Sequence, residues 1–399
     1  MKIGFSTSVI QRGKTGIAQY TFALLRAFED LNTDQRFVLF VLEEDRSFFA
    51  NHGEQFEIVT IREKYRPPLK NIFWHQTILP KLAGKLDLDV IHVPSYRRLV
   101  WQSSCPRVGT IHDLAPFRVP KKYDLARMLY GRVIAKHLAR IQEQIIAVSE
   151  NTARDIESFF RIPRNRVRVV YNGLEHGRFY PQSDKKSGEV SVGKFKLERP
   201  FFLYVARLEH PGKNHVRLIE AFENFKTKTK SNWLLALGGS DWHGAEVIHE
   251  RIARSPWQSD IRTLGFIKDE ELPALYSAAS SFVYPSLYEG FGMPPVEAMA
   301  CGCPVICSAR GSLEEVVGKA ALIVEPEDIS SMEDALVKFY SSSELRANFR
   351  QKGLLRASDF SWKKAARETL SAYSAAVAGG RKFATSSIVQ TFSTPASRD

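Results

Sequence analysis

Short apolar runs recur along this chain, separated by longer stretches in which apolar residues return every three or four positions. The runs at residues 3–6, 37–42, 58–61, 90–93, 108–111, 145–148 and 167–170 read as strands, and helical patterns fill most of the gaps. Apolar strands alternating with amphipathic helices are the mark of a parallel sheet covered on both faces. A second series follows at 201–206, 233–237, 261–264, 281–284, 305–307 and 321–324. The pattern predicts an α/β fold of two Rossmann-like, doubly wound parallel-sheet domains, one at 1–180 and one at 200–360, with a ligand cleft between them. Residues 181–199 lack periodicity and are rich in Ser, Lys, Gly and Glu, so they read as the linker. A helix is expected near 361–378, and residues 380–399 read as a disordered tail.

The length of 399 residues agrees with two cores, and 44% hydrophobic with 25% charged residues is ordinary for a globular chain. Residues 1–10 read as a short strand rather than a leader, and no stretch of 18 uncharged apolar residues occurs, so a cytoplasmic protein is expected. The net charge of +12 is uneven. Residues 1–190 hold 30 Lys+Arg against 20 Asp+Glu, a balance of +10, which leaves 26 against 24, or +2, for the remainder. That bias favours a phosphate-bearing partner near the first half. Cys301, Cys303 and Cys307 lack the second cluster or histidine pair of a metal site, so they read as buried small residues around a strand.

Chemistry concentrates in residues 288–305. Glu289, placed in a loop, and Glu297, placed in the first turn of the helix that follows, enclose Gly290 and Gly292, which let the backbone approach a ligand closely, and Pro294 and Pro295 suit that first turn. Unpaired amides and the positive end of the helix dipole would face whatever the loop encloses. The run Tyr288-Glu289-Gly290-Phe291-Gly292, continuing through Pro294, Glu297-Ala298-Met299-Ala300, Gly302 and Pro304-Val305, resembles the retaining family 4 glycosyltransferases. This family has the GT-B fold, and the resemblance spans roughly residues 1 to 378. Among its members the chain is similar to exopolysaccharide and lipopolysaccharide mannosyltransferases.

The resemblance implies a nucleotide diphosphate sugar donor carrying GDP or UDP, a glycan or lipid-linked glycan acceptor, and no cofactor or metal. It assigns Glu289 to sugar hydroxyls, Glu297 to the ribose, and the amides of Gly290, Phe291 and Gly292 to the sugar. Arg207 and Lys213, six residues apart after a strand and closed by a helix N-cap at Asn214, correspond to its diphosphate-binding pair. Fixed cations there stabilise a leaving group whose charge grows in the transition state. His112, beside Asp113 at a strand end, is placed near the reacting carbon. Gly16, with Gly13 in the same loop, offers amides to the diphosphate or the acceptor, and Thr15 stands where many relatives have glycine. Gly265, Phe266 and Ile267 hold the base, the terminal helix returns to the first domain, and Glu315 matches a family glutamate that also reads as a helix cap residue.

Other features read more plainly. Asn172-Gly173 is a turn calling for positive φ, and Asp87-Leu88-Asp89 is a strand-entry loop rather than a metal site. A sugar-nucleotide epimerase or a phosphorylase would share the fold but not the full glutamate motif. A nucleic-acid partner is not expected, because the basic residues are not interleaved with aromatics as a stacking platform requires. In residues 118–140 an apolar stripe at helical spacing, which includes Leu125, Met128, Leu129, Val133, Ile134 and Leu138, reads as core-facing. The basic face of Lys121, Lys122, Arg127, Arg132, Lys136 and Arg140 reads either as solvated or as a surface for anionic membrane.

Overall fold

The computed structural model describes residues 1–13, 15–118, 129–182, 194–195 and 197–390, with side chains as far as residue 380. The chain divides into two compact units, Met1–Leu114 with Tyr123–Gly173 and Trp362–Asp399, and Ala115–Lys122 with Leu174–Ser361. Every apolar run of the sequence is a strand. The first unit holds β1 (Lys2–Ser6), β2 (Arg36–Leu42), β3 (Phe56–Ile61), β4 (Val90–Val93), β5 (Arg107–Ile111), β6 (Gln144–Ala147) and β7 (Val167–Val169), all parallel, in the order β3-β2-β1-β4-β5-β6-β7. The second holds β8 (Phe201–Val205), β9 (Leu234–Gly238), β10 (Ile261–Gly265), β11 (Ser281–Tyr284), β12 (Val305–Ser308) and β13 (Ala321–Val324), in the order β10-β9-β8-β11-β12-β13.

Both orders reverse direction once, between β1 and β4 and between β8 and β11. Loops leaving the carboxyl ends of strands on either side of such a reversal diverge and leave a crevice. In the first unit the loop after β1 leads into the helix Gly16–Asp30; in the second, the loops after β8 and β11 lead into the helices His215–Thr229 and Met293–Ala300.

The helix Trp362–Gln390 belongs to the first unit, where Ala365, Ala366, Ala372, Tyr373 and Ala376 pack with Ile3, Phe5, Phe28 and Phe37. Small residues let the helix lie close to the sheet. Residues 380–390, expected in a disordered tail, continue this helix, and 391–399 lie outside the described residues. Most of the expected linker, 183–193 and 196, also lies outside them. Gly173 is not a positive-φ turn; neither it nor Asn172 adopts that conformation. Its requirement is space, since a Cβ there would stand 2.1 Å from the backbone nitrogen of Trp362.

The stripe at 118–140 is corrected in part. Ala135 and Leu138 are buried, but Leu129, Val133 and Ile134 point to solvent. The segment turns through a wide π-type helix at Gly131–Ala135, which shifts the face that the apolar spacing would bury. Lys121, Lys122, Leu125, Arg127 and Met128 lie outside the described residues. Asp89 serves the strand entry by accepting the Lys2 amide at 2.8 Å. All four cysteines are free and buried, and burial pushes the Cys301 thiol up to about 12.

Candidate active site at a strand-order reversal

In the second unit the loops after β8 and β11 are bound to each other before any side chain reaches for a ligand. The Leu287 amide donates to the Gly212 carbonyl at 3.0 Å, and the Tyr204 hydroxyl donates to the Lys213 carbonyl at 2.7 Å. Asn214 precedes the helix His215–Thr229, but its side chain does not cap that helix. Its φ is +62°, and its amide donates instead to the carbonyls of Pro285 at 3.1 Å and Pro326 at 2.7 Å. A cap was expected from residue type; the structure uses the side chain as a staple between loops.

This frame sets Lys213 against Glu289. The ammonium donates to Glu289 Oε1 at 2.5 Å, and the hydroxyls of Tyr284 at 3.0 Å and Ser286 at 2.6 Å donate to the same oxygen. Both charged side chains are 16% exposed, so the pair is shielded yet reachable. Glu289 is also fixed through its main chain, whose carbonyl accepts from the Ser312 amide at 3.1 Å and hydroxyl at 3.0 Å. Gly311 lies so near that a Cβ would stand 2.5 Å from that carbonyl oxygen. Gly290 and Phe291 are buried in the same loop. Gly292 takes φ +93° at the helix entry, and a Cβ on it would meet Leu313 Cδ2 at 2.4 Å. Both prolines fall in the first turn, as expected.

Glu297 is the fifth residue of the helix Met293–Ala300, hence in its second turn rather than its first. Tyr276 donates to its Oε2 at 3.0 Å, but burial outweighs that bond and raises the carboxyl to about 7. Arg207 is exposed beyond β8, its guanidinium 4.7 Å above the ring of Trp242, and it has no carboxylate partner among the described residues. The structure thus joins Lys213 to Glu289 and leaves Arg207 on an aromatic face. Gly265 and Phe266 sit at the end of β10, Phe266 exposed, while Ile267 turns into the core. Glu315 lies in the first turn of the helix Leu313–Val317, and its carbonyl accepts from Arg356 at 3.0 Å.

In the first unit His112 follows β5. Its Nε2 donates to the Pro94 carbonyl at 3.2 Å, which leaves Nδ1 as the acceptor nitrogen, and Tyr20 meets the ring edge-on at 4.7 Å. Desolvation lowers its pKa to about 4. Gly16 opens the helix Gly16–Asp30 with open space where a Cβ would be, and Thr15 is its N-cap, accepting the Ala18 amide at 3.2 Å.

Tyr284, Ser286, Ser312, Gly311 and Tyr276 were not singled out by sequence. Tyr284 ends a predicted strand, which marked its position but not its hydroxyl's target. The others carry no distinctive spacing.

Among known proteins, the model described as Glycosyltransferase Family 4 matches residues 14–178, and that described as Glycosyl transferases group 1 matches 189–356. The chain is 29% identical over 392 residues to the O-antigen chain mannosyltransferase B of Escherichia coli, covering 94% of this chain and 99% of that protein. It is 28% identical to the O-antigen chain mannosyltransferase RfbU of Salmonella typhimurium, covering 82% and 88%. Solved structures with the same fold include a sucrose-phosphate synthase from Thermosynechococcus elongatus, with TM-score 0.75, 20% identity and coverage of 94% and 98%. Anabaena Alr3699/HepE in complex with UDP and glucose has TM-score 0.73, 18% identity and coverage of 94% and 99%. With the GT-B fold, the glutamate loop and both halves matched, the chain belongs to the group 1, family 4 glycosyltransferases.

Proposed function

We propose that this glycosyltransferase moves a hexose, specifically mannose, from a GDP- or UDP-linked donor to a hydroxyl of a saccharide or lipid-linked saccharide, retaining anomeric configuration without a metal ion. The observation that carries the reading is the Lys213–Glu289 pair held between the loops after β8 and β11. The sugar recognised follows the mannosyltransferases among the relatives.

In this reading Glu289 accepts hydrogen bonds from sugar hydroxyls, the amides from Gly290 to Gly292 line the sugar, and Glu297 takes the ribose. Phe266 and the backbone at Gly265 and Ile267 hold the base. Arg207 and Lys213 receive the diphosphate, His112 touches the sugar near its reacting carbon, and Gly16 offers an amide to the diphosphate or acceptor. The bond from the anomeric carbon to the phosphate oxygen breaks while the acceptor oxygen bonds to the same face of that carbon. The acceptor proton passes to the departing phosphate oxygen, so no protein nucleophile is required. Cations fixed beside that oxygen stabilise the transition state more than the ground state.

A thermal-shift screen over GDP, UDP, ADP and their hexoses tests donor choice, since a ligand at a hundred times its dissociation constant stabilises by roughly 2.7 kcal/mol. Stabilisation by GDP-mannose together with GDP release on adding acceptor supports the reading. Turnover unaffected by Glu289→Ala overturns it.

A further inference from the structure

The first unit carries an apolar groove of about 370 Å³ lined by Ile72, Gln76, Trp101, Tyr130, Ile134 and Leu138. Around it, Leu69, Phe73, Trp101, Leu129, Val133 and Ile134 are 50 to 81% exposed. Their spacing is not random. Positions 69, 72, 73 and 76 form one stripe of the helix Pro68–Thr77, and 130, 134 and 138 recur every four residues; Leu138 is buried at the floor, but Leu69, Phe73 and Ile134 meet solvent. A contiguous apolar surface of this kind marks an interaction site.

The charges around it choose the partner. Residues 67–85, 94–108 and 129–142, which include the groove's lining, contain nine Lys and Arg and no Asp or Glu, and of these Arg107 is paired with a neighbouring carboxylate, Glu143. Lys70 and Arg132 are exposed beside the apolar stripes. Trp101, packed 5.0 Å from the His137 ring, is an amphipathic group of the kind that settles at the boundary between acyl chains and headgroups. A second copy docking face to face would set the exposed Lys70 and Arg132 of each copy against like charges of the other. We propose that this face is a membrane-docking surface that sets Leu69, Phe73, Trp101 and Ile134 into an anionic bilayer, with the surrounding Lys and Arg on its phosphates. It shares Arg132, Lys136 and Arg140 with the basic helical face expected at 118–140 but adds the apolar side chains of Leu69, Phe73 and Trp101 from other elements, and it does not depend on the donor assignment.

Flotation of the full chain, without donor, on vesicles of phosphatidylcholine with and without phosphatidylglycerol tests the proposal. Binding is expected only with the anionic lipid. The combined Phe73→Ser, Trp101→Ser and Ile134→Ser variant should bind at least about tenfold more weakly, and Lys70→Glu with Arg132→Glu about fivefold per reversed charge or more at low salt. Both variants should melt like the wild type and keep activity on a water-soluble acceptor. Should the triple variant not fold, lipids brominated on their acyl chains serve as the second measurement: they should quench tryptophan emission of the wild type and less that of Trp101→Phe. Equal binding to neutral vesicles, unchanged binding by the triple variant, or no vesicle binding with a dimer lost in that variant would each overturn it.

Discussion

Lys213 Nζ stands 2.5 Å from Glu289 Oε1, although the two residues leave different strands and lie 76 positions apart. The oxygen that accepts the ammonium also accepts two hydroxyls, so the carboxylate is oriented by three donors from the frame of its own unit. A group held this way needs little reorganisation when charge moves nearby.

Glu289→Gln keeps the shape and removes the charge. We expect kcat to fall about 10²- to 10³-fold, in line with loss of one preorganised electrostatic contact, with the melting temperature shifted by only a few degrees. Steady-state assay of nucleotide release beside a thermal melt decides it; a kcat within threefold of wild type contradicts the assigned role.

Lys213→Ala should lower kcat far more than it raises the donor KM, because the charge it faces grows toward the transition state. Activity of the wild type should persist in EDTA. Loss of turnover in chelator, restored by magnesium or manganese, would refute metal independence.

Gly311→Ala should remove activity without touching any ligand. A Cβ there enters the space of the Glu289 backbone, and φ of +64° costs a non-glycine residue about 1 to 2 kcal/mol besides. Gly318→Ala, also at positive φ but with nothing closer than 3.8 Å, should lose stability while keeping kcat. Equal kcat loss in both variants would count against a specific displacement of Glu289.

Glu297, raised to about 7 from the usual 4.5, is protonated more readily in the folded protein than in the unfolded chain. Its contribution to stability is therefore complete below about pH 4.5 and is lost as pH rises through about 7. Glu297→Gln should flatten that decline. An ionised carboxylate accepts ribose hydroxyls best, so nucleoside diphosphate affinity should rise through pH 7 in the wild type and stay level in the variant. Calorimetric titration at pH 6 and 8 measures the difference.

His112 runs the other way. Its pKa, lowered to about 4 from 6.5, means the unfolded chain takes up a proton that the folded protein refuses. The stability it contributes is full above pH 6.5 and disappears as pH falls toward 4. His75 and His92, lowered to about 3 in the same unit, add to this acid sensitivity. Melting curves between pH 8 and 4 should show a drop below 6.5 that is smaller in His112→Gln. The rate profile between pH 5 and 8 should carry no limb from His112.

Much of this protein was written locally. Thirteen strands stand within two residues of their apolar runs; central strands buried on both faces must be apolar throughout whatever surrounds them, while the edge strands β3, β7 and β10 carry polar residues as well. The glutamate loop was equally legible, because the φ of Gly292 and the proline-led first turn after it are properties of the chain itself. Tertiary structure decided what side chains do once strands are ordered. Asn214 has the residue type of a helix cap, but the loops after β11 and β13 offered its amide two carbonyls. Gly173 read as a turn and proved to be a point of close approach to Trp362, 189 positions away in number and adjacent in space. Leu129, Val133 and Ile134 have core spacing yet face solvent. Sequence periodicity fixes which residues share a face of a helix, whereas only packing against distant segments fixes where that face points.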